Sequence, residues 1–330
     1  MALGRHAEPT EAFRDDTLAE VGRGHQLGEQ RGPWRDAWRR LSKNKMALVS
    51  IGIITVFLLL AIFATVLAPY PYQQQDLLSI YQGPSAAHWL GTDALGRDML
   101  SRLLYGARIS MIVAVVTVLL VLVIGVPVGL VSGYYGGAID MVVMRIVDIG
   151  YAFPSLLLII ILSSYLGAAL PQIQGGPLLV LKHGYDATGG LVAVIIALSI
   201  FGWLSLARLV RGQVLSLKQQ EYIDGARGMG ASDRRIMFGH LLPNALAPVI
   251  IAAALYVPGF IIAEAGLSFI GLGVKPPTPS WGIMISDGVQ AIQSYPYVAL
   301  EPGLAIALLL LAFNFLGDGL RDALDPYMNT

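Results

Sequence analysis

Few residues in this chain have the type and spacing to do chemistry, and they lie far apart. No cysteine is present, which removes disulfides, thiolate metal ligands and thiol nucleophiles together. The histidines His6, His25, His88, His183 and His240 are scattered, so nickel or haem ligation within this chain has little support. No Gly-Lys dipeptide occurs, and the GxxxxGK[ST] loop that cradles phosphates is therefore excluded. No catalytic residue is expected, and any ATP that drives this protein must be hydrolysed on another chain. What remains is one charged run, EYIDGARGMGASDRRIMFGHLLPN from Glu221 to Asn244, and three polar groups at or near apolar stretches, Asp148, Glu264 and Asn314. Ionisable groups in such surroundings are functional candidates by default, because charge is costly in hydrocarbon. Each is expected to face protein rather than lipid, lining a pathway or touching a second membrane subunit. A proton relay would need a chain of such groups, and none is visible.

The elements that position these residues follow from composition. Of 330 residues, 55% are hydrophobic and 13% charged, about half the charged share of a soluble domain. The apolar residues come in blocks, and a bilayer crossing needs roughly 20 of them in a helix. Six stretches qualify, at about 46–68, 109–132, 149–170, 191–207, 245–263 and 302–317. The fold class is an all-α integral membrane protein of about six transmembrane helices. The last stretch is short and is expected to recruit flanking residues from Tyr295 onward or to lie in thinned lipid. Pro177–Leu181 is too short to cross, and Gly-rich Gly266–Val274 reads as a re-entrant or surface segment. Residues 1–33 are polar and read as a disordered cytoplasmic tail. In 34–45, Trp34, Trp38 and Leu41 share one helical face, which fits an interfacial amphipathic helix as well as a plain basic anchor. Net charge is formally zero, so nucleic acid is not an expected partner.

Basic residues set the orientation. Seventeen of the 22 lysines and arginines fall on one side if the N-terminus is inside, and such residues are costly to translocate in short loops. Both termini are then cytoplasmic, and so is the run from 213 to 244. That run is several times longer than the roughly 2–8 residues that join helices in a bundle. Glu221 suits a helix N-terminus, Gly228 and Gly230 break that helix, and Ser232 caps a second one. Pro243 then admits the next span at its first turn. A helix–glycine–helix elbow on the membrane face is suited to receive a push from a docked protein. In the second span Gly125, Gly129 and Gly133 recur every four residues around Pro127, a pattern for close helix packing.

The elbow resembles the EAA loop of binding-protein-dependent ABC importer permeases, with Asp224-Gly225-Ala226, then Gly230, then Leu242-Pro243 in the places of that pattern. Asp and Gly stand where Glu and Ala are usual, and His240 stands where Ile is usual. Four more stretches resemble the same family, in its C-type peptide/nickel importer permeases. They are HWLGTDALGRDMLSRLLYGAR (88–108), GYYGGAIDMVVMRIVDIGYAFP (133–154), GLSFIGLGVKPPTPSWG (266–282) and AFNFLGDGLRDALDP (312–326). The long N-terminal tail and an extended loop at 163–190 depart from it.

The resemblance implies a type I ABC importer (MetI-like) permease architecture in a bacterial inner membrane, forming half of a peptide translocation pathway. Nickel chelates, glutathione and haem are alternative cargoes, and a proton-coupled secondary transporter is the alternative class. The elbow would be a coupling helix seated in a cleft of the ATPase. Its docking surface, carried over residue by residue, is Glu221, Asp224, Gly225, Ala226, Arg227 and Gly230, supported by Arg234 and Arg235. Implied partners are a B-type permease, two ABC ATPase subunits that hold ATP and Mg, and an extracytoplasmic substrate-binding protein; no cofactor is expected on this chain. On the external side, Arg97 with Asp93 or Asp98 reads as local ion pairs worth under ~1 kcal/mol. Pro276, Pro277, Pro279 and Trp281 read as a rigid turn packed on the bundle mouth.

Overall fold

The computed structural model describes residues 33–324; the expected tail at 1–33 therefore lies almost wholly outside the described residues. Helices carry the fold, and among the described residues the one extended pairing is an isolated bridge between Thr92 and Asp98. In chain order the α-helices are α1 (Pro33–Leu41), α2 (Lys45–Ile62), α3 (Ala64–Leu67), α4 (Met99–Tyr135), α5 (Gly137–Tyr151), α6 (Ser155–Ala169) and α7 (Leu179–Ala187). They continue as α8 (Leu191–Leu217), α9 (Glu221–Gly228), α10 (Asp233–Ile236), α11 (Leu242–Phe269), α12 (Trp281–Val289) and α13 (Tyr297–Leu324). Six helical stretches are long and apolar enough to cross a membrane: Lys45–Ile62, Met99–Tyr135, Ser155–Gln172, Leu191–Leu217, Asp233–Phe269 and Tyr297–Leu324.

Side-chain caps set several starts. Asn44 accepts from the Ala47 amide at the head of α2, Asp98 from Ser101 at α4, and Ser280 from Ile283 at α12, each satisfying an amide that the helix itself leaves unpaired. The bounds differ from those that hydropathy suggests. The second span begins at Met99, ten residues early, so Arg102 and Arg108 sit on the helix instead of in an external loop. The fourth continues past Arg208 and Arg211 to Leu217, because a helix does not stop where apolarity stops. The sixth takes in the chain from Tyr297 and runs to Leu324. Gly266–Phe269, expected in a surface segment, completes α11. The third stretch is not one rod: α5 ends at Tyr151 and α6 starts at Ser155, because Pro154 cannot donate to the preceding turn and disfavours helix at Phe153.

The centre of the bundle is α4 packed along α8. A Cβ at Gly129 would stand 2.5 Å from the Ala207 carbonyl oxygen, and one at Gly133 would stand 2.9 Å from Val214, so the glycine pattern is a close-packing stripe. At one end, which we call the cap end, Trp281 is fully buried with Met99, Met284 and Val298. Its indole Nε1 donates to the Leu103 carbonyl at 3.1 Å, and Phe57 meets its ring edge-on. At the other end α1 is anchored by Leu41, which packs with Ala47 and Ala323, whereas Trp38 is exposed.

Candidate functional site

The elbow occupies 218–241. Glu221 and Asp224 in the first turn of α9 and Arg227 in its last complement the helix dipole. Gly230, at φ +80, reverses the chain in a conformation that costs an L side chain roughly 1–2 kcal/mol. The Ala231 amide meanwhile donates to the Ala226 carbonyl at 3.0 Å and the Gly230 amide to Arg227 at 2.9 Å. The Ser232 hydroxyl caps α10. A π turn over Met237–Leu241 then carries the helix into α11, with Pro243 in the first turn.

One face of this elbow is welded to the bundle. Ile223, Ile236, Met237 and Leu241 bury with Leu130, Tyr134, Val210 and Val214. The Tyr134 hydroxyl donates to Asp233 Oδ1 at 2.7 Å, and the Lys218 ammonium donates to the Tyr134 carbonyl at 2.5 Å. Beside it, Arg211 on α8 forks onto both oxygens of Asp140 on α5, and Ser132 donates to the same carboxylate at 2.5 Å. Those hydrogen bonds, Arg211 foremost, hold the Asp140 carboxyl below the usual carboxylate range.

The other face is open. Glu221, Asp224, Gly225, Arg227, Gly230, Arg234 and Arg235 are all exposed. Ala226 is not: it is buried beside Ile223, since residues three apart share one helix face, and this corrects its place among the docking residues. The spacing also hid three apolar members of the open face, namely Tyr222, Met229 (86% exposed) and Phe238 (60% exposed). The signal was present, because a buried Ile223–Ala226 stripe turns Tyr222 and Met229 outward.

Asp148, Glu264 and Asn314 do not meet in space. Asp148 on α5 pairs with Arg208 on α8 at 3.0 Å, both about half-exposed. Asn314 is exposed on α13. Glu264 is fully buried inside this chain, accepting from Ser110 at 2.9 Å and Ser268 at 2.7 Å, so in this arrangement it reaches no partner surface or open pathway. Among the described residues no group of three His, Asp or Glu side chains converges to hold a metal ion.

The cap end corrects a weaker expectation. Asp93 is fully buried and accepts from the Leu95 and Arg97 amides, from Arg97 Nε at 2.7 Å and from Arg102 Nη1. Arg97 and Arg102 both reach on to Asp287 of α12, at 3.3 and 3.2 Å. This is a largely buried network with the partly exposed Asp287 at its edge, joining residues up to 194 positions apart, not a local surface pair.

Six apolar helical stretches, a glycine-packed centre and an elbow with one face left uncovered define a polytopic component of a membrane transport assembly. The chain belongs to the family described as the binding-protein-dependent transport system inner membrane component, which matches residues 125–330. Residues 32–84 match the N-terminal TM domain of oligopeptide transport permease C. Among its relatives is the dipeptide transport system permease protein DppC of Alkalihalophilus pseudofirmus, 46% identical over 90% of this chain and 91% of that one. The oligopeptide transport system permease protein OppC of Bacillus subtilis is 44% identical over 89% of each. The glutathione transport system permease protein GsiD of Pectobacterium atrosepticum is 40% identical over 91% and 93%.

Proposed function

We propose that this chain forms half of the translocation pathway of a bacterial ABC importer for peptides, and that an ATPase grips its elbow. The observation that carries this reading is the two-faced elbow: an apolar face fixed to α4 and α8, and an exposed face of mixed charge with Met229 and Phe238 standing out. A surface hairpin with no partner has no reason to expose large apolar residues while clamping its inner face this firmly. The clamp also supplies mechanics, since a push on α9 is delivered to α4, α8 and α11 together.

The partners in this reading are a B-type permease, two ATPase subunits that bind ATP and Mg, and an external substrate-binding protein. Both termini face the cytoplasm. Peptides are favoured as cargo by the dipeptide and oligopeptide relatives, and the glutathione relatives fit the same geometry with a modified tripeptide.

Co-purification from the native membrane, followed by reconstitution, tests the proposal. ATPase chains should accompany this one, and vesicles holding the complex and its binding protein should take up a radiolabelled tripeptide only with ATP. Uptake by the isolated chain, or purification without any ATPase, would overturn it.

A further inference from the structure

The interruption between α5 and α6 falls where a membrane protein can least tolerate it. Every residue from Tyr151 to Leu157 is exposed, and the helix stops at Tyr151 and resumes at Ser155. The Tyr151 hydroxyl meets Ser205 Oγ at 2.6 Å. Ser205 lies near the middle of α8, about 21 Å from its start at Leu191 and about 18 Å from its end at Leu217 at ~1.5 Å per residue, and the middle of a helix long enough to cross the membrane falls within a hydrocarbon core of roughly 30 Å. Irregular backbone at that depth does not face lipid; it is covered by protein or it lines water.

A cavity of about 230 Å³ opens at this break, lined by Tyr151, Ser155, Phe201, Ser205, Tyr256 and Phe260 among others. No charged side chain lines it. At its lip the Arg208 guanidinium stacks 4.4 Å from the centre of the Tyr151 ring and is neutralised by Asp148, so the lip carries a paired charge, not a net one. Hydroxyls that both donate and accept match the amide groups of an extended backbone, while aromatic walls accept apolar side chains of any shape.

We infer that the α5–α6 break and the facing surfaces of α8 and α11 form a wall of the water-filled pathway, where a passing peptide is held by its backbone and apolar side chains. This rests on the peptide-importer reading. It also says why such a wall tolerates many sequences: nothing in it fixes the sign of a side-chain charge.

The cysteine-free chain makes the test direct. In the complete complex in proteoliposomes, Ser155→Cys is treated with a charged, membrane-impermeant thiosulfonate reagent, beside Val56→Cys on α2, a position that is 54% exposed and dry whether lipid or a partner covers it. Ser155→Cys should react at least about tenfold faster, because reagent access governs thiol reactivity. Equal rates, or a disulfide formed instead with the partner permease, would overturn the assignment. Separately, Ser205→Phe, which fills the cavity, should cut ATP-driven uptake of Lys-containing and Glu-containing tripeptides by the same factor, about tenfold or more. Unchanged uptake, or loss confined to one charge class, would overturn the peptide-wall role. Fast reaction at Ser155→Cys together with a wild-type complex that imports no tripeptide would leave the pathway standing and remove the peptide cargo.

Discussion

The two ends of the molecule solve opposite problems. At the cap end, charges are drawn out of water: Asp93, Arg97 and Arg102 are buried and close on one another and on the partly exposed Asp287 above the Trp281 core. At the elbow end, charges stay exposed, and it is apolar burial plus a few ties through Tyr134 that hold the segment. A desolvated ion network is rigid because separating any member strands a buried charge. An exposed charged face carries no such penalty and can be covered, uncovered and covered again. The cap end is thus built to keep its shape, and the elbow end to be handled.

The comparison breaks first at the cap. Asp93→Ala removes the buried partner of Arg102, which is 1% exposed and keeps only the partly exposed Asp287 at 3.2 Å, and should cost about 3 kcal/mol, read as a lower melting temperature of the purified complex. A drop worth under ~1 kcal/mol would mean the network is ornamental. Gly230→Leu should add roughly 1–2 kcal/mol of local strain at φ +80 while leaving membrane insertion intact. ATP hydrolysis should then continue while peptide uptake falls about tenfold; normal coupled uptake would move the docking site elsewhere.

A smaller effect separates the elbow's ties from its open surface. Because Arg211 depresses the Asp140 pKa, the tie contributes fully above the unfolded value of about 3.9 and is lost only as pH falls through the lower folded value. Acidification from neutral to about pH 5 should therefore leave it intact. Asp140→Asn should cost about 1 kcal/mol at neutral pH and nothing once pH is below the folded value; a cost that stays constant with pH would show that the charge is not what binds. The smallest change is a gain. A Cβ at Gly225 meets nothing within 4 Å, so Gly225→Ala should stabilise α9 by about 0.5–1 kcal/mol, seen as slower amide exchange across 221–228.

Much of the elbow is legible in the chain itself, because its determinants are local. Ser232, Gly230 and Pro243 each act within a turn of their own position, and each does what its chemistry suggests. The six apolar stretches are legible for the same reason. The cap network is not: Asp93 and Arg97 are four apart and look like an ordinary surface pair, and nothing in their spacing announces Asp287. The helix break is readable in principle at Phe153-Pro154, but a hydropathy window runs through an apolar proline without a pause. Glu264 stands out as a carboxylate in an apolar span, yet which side it faces depends on Ser110, more than 150 residues away.

Tyr134 lies near the end of a 37-residue helix whose first turn carries Arg102. One continuous shaft of about 55 Å, at ~1.5 Å per residue, thus joins the elbow's pin to the ion lattice at the opposite end. Leaning it by about 5° would displace its far tip by about 5 Å over that length. A nudge on one side of the bilayer is in this way felt on the other through a single helix, whose one weak joint, at Pro127, is flanked by the glycines that press it against its neighbour.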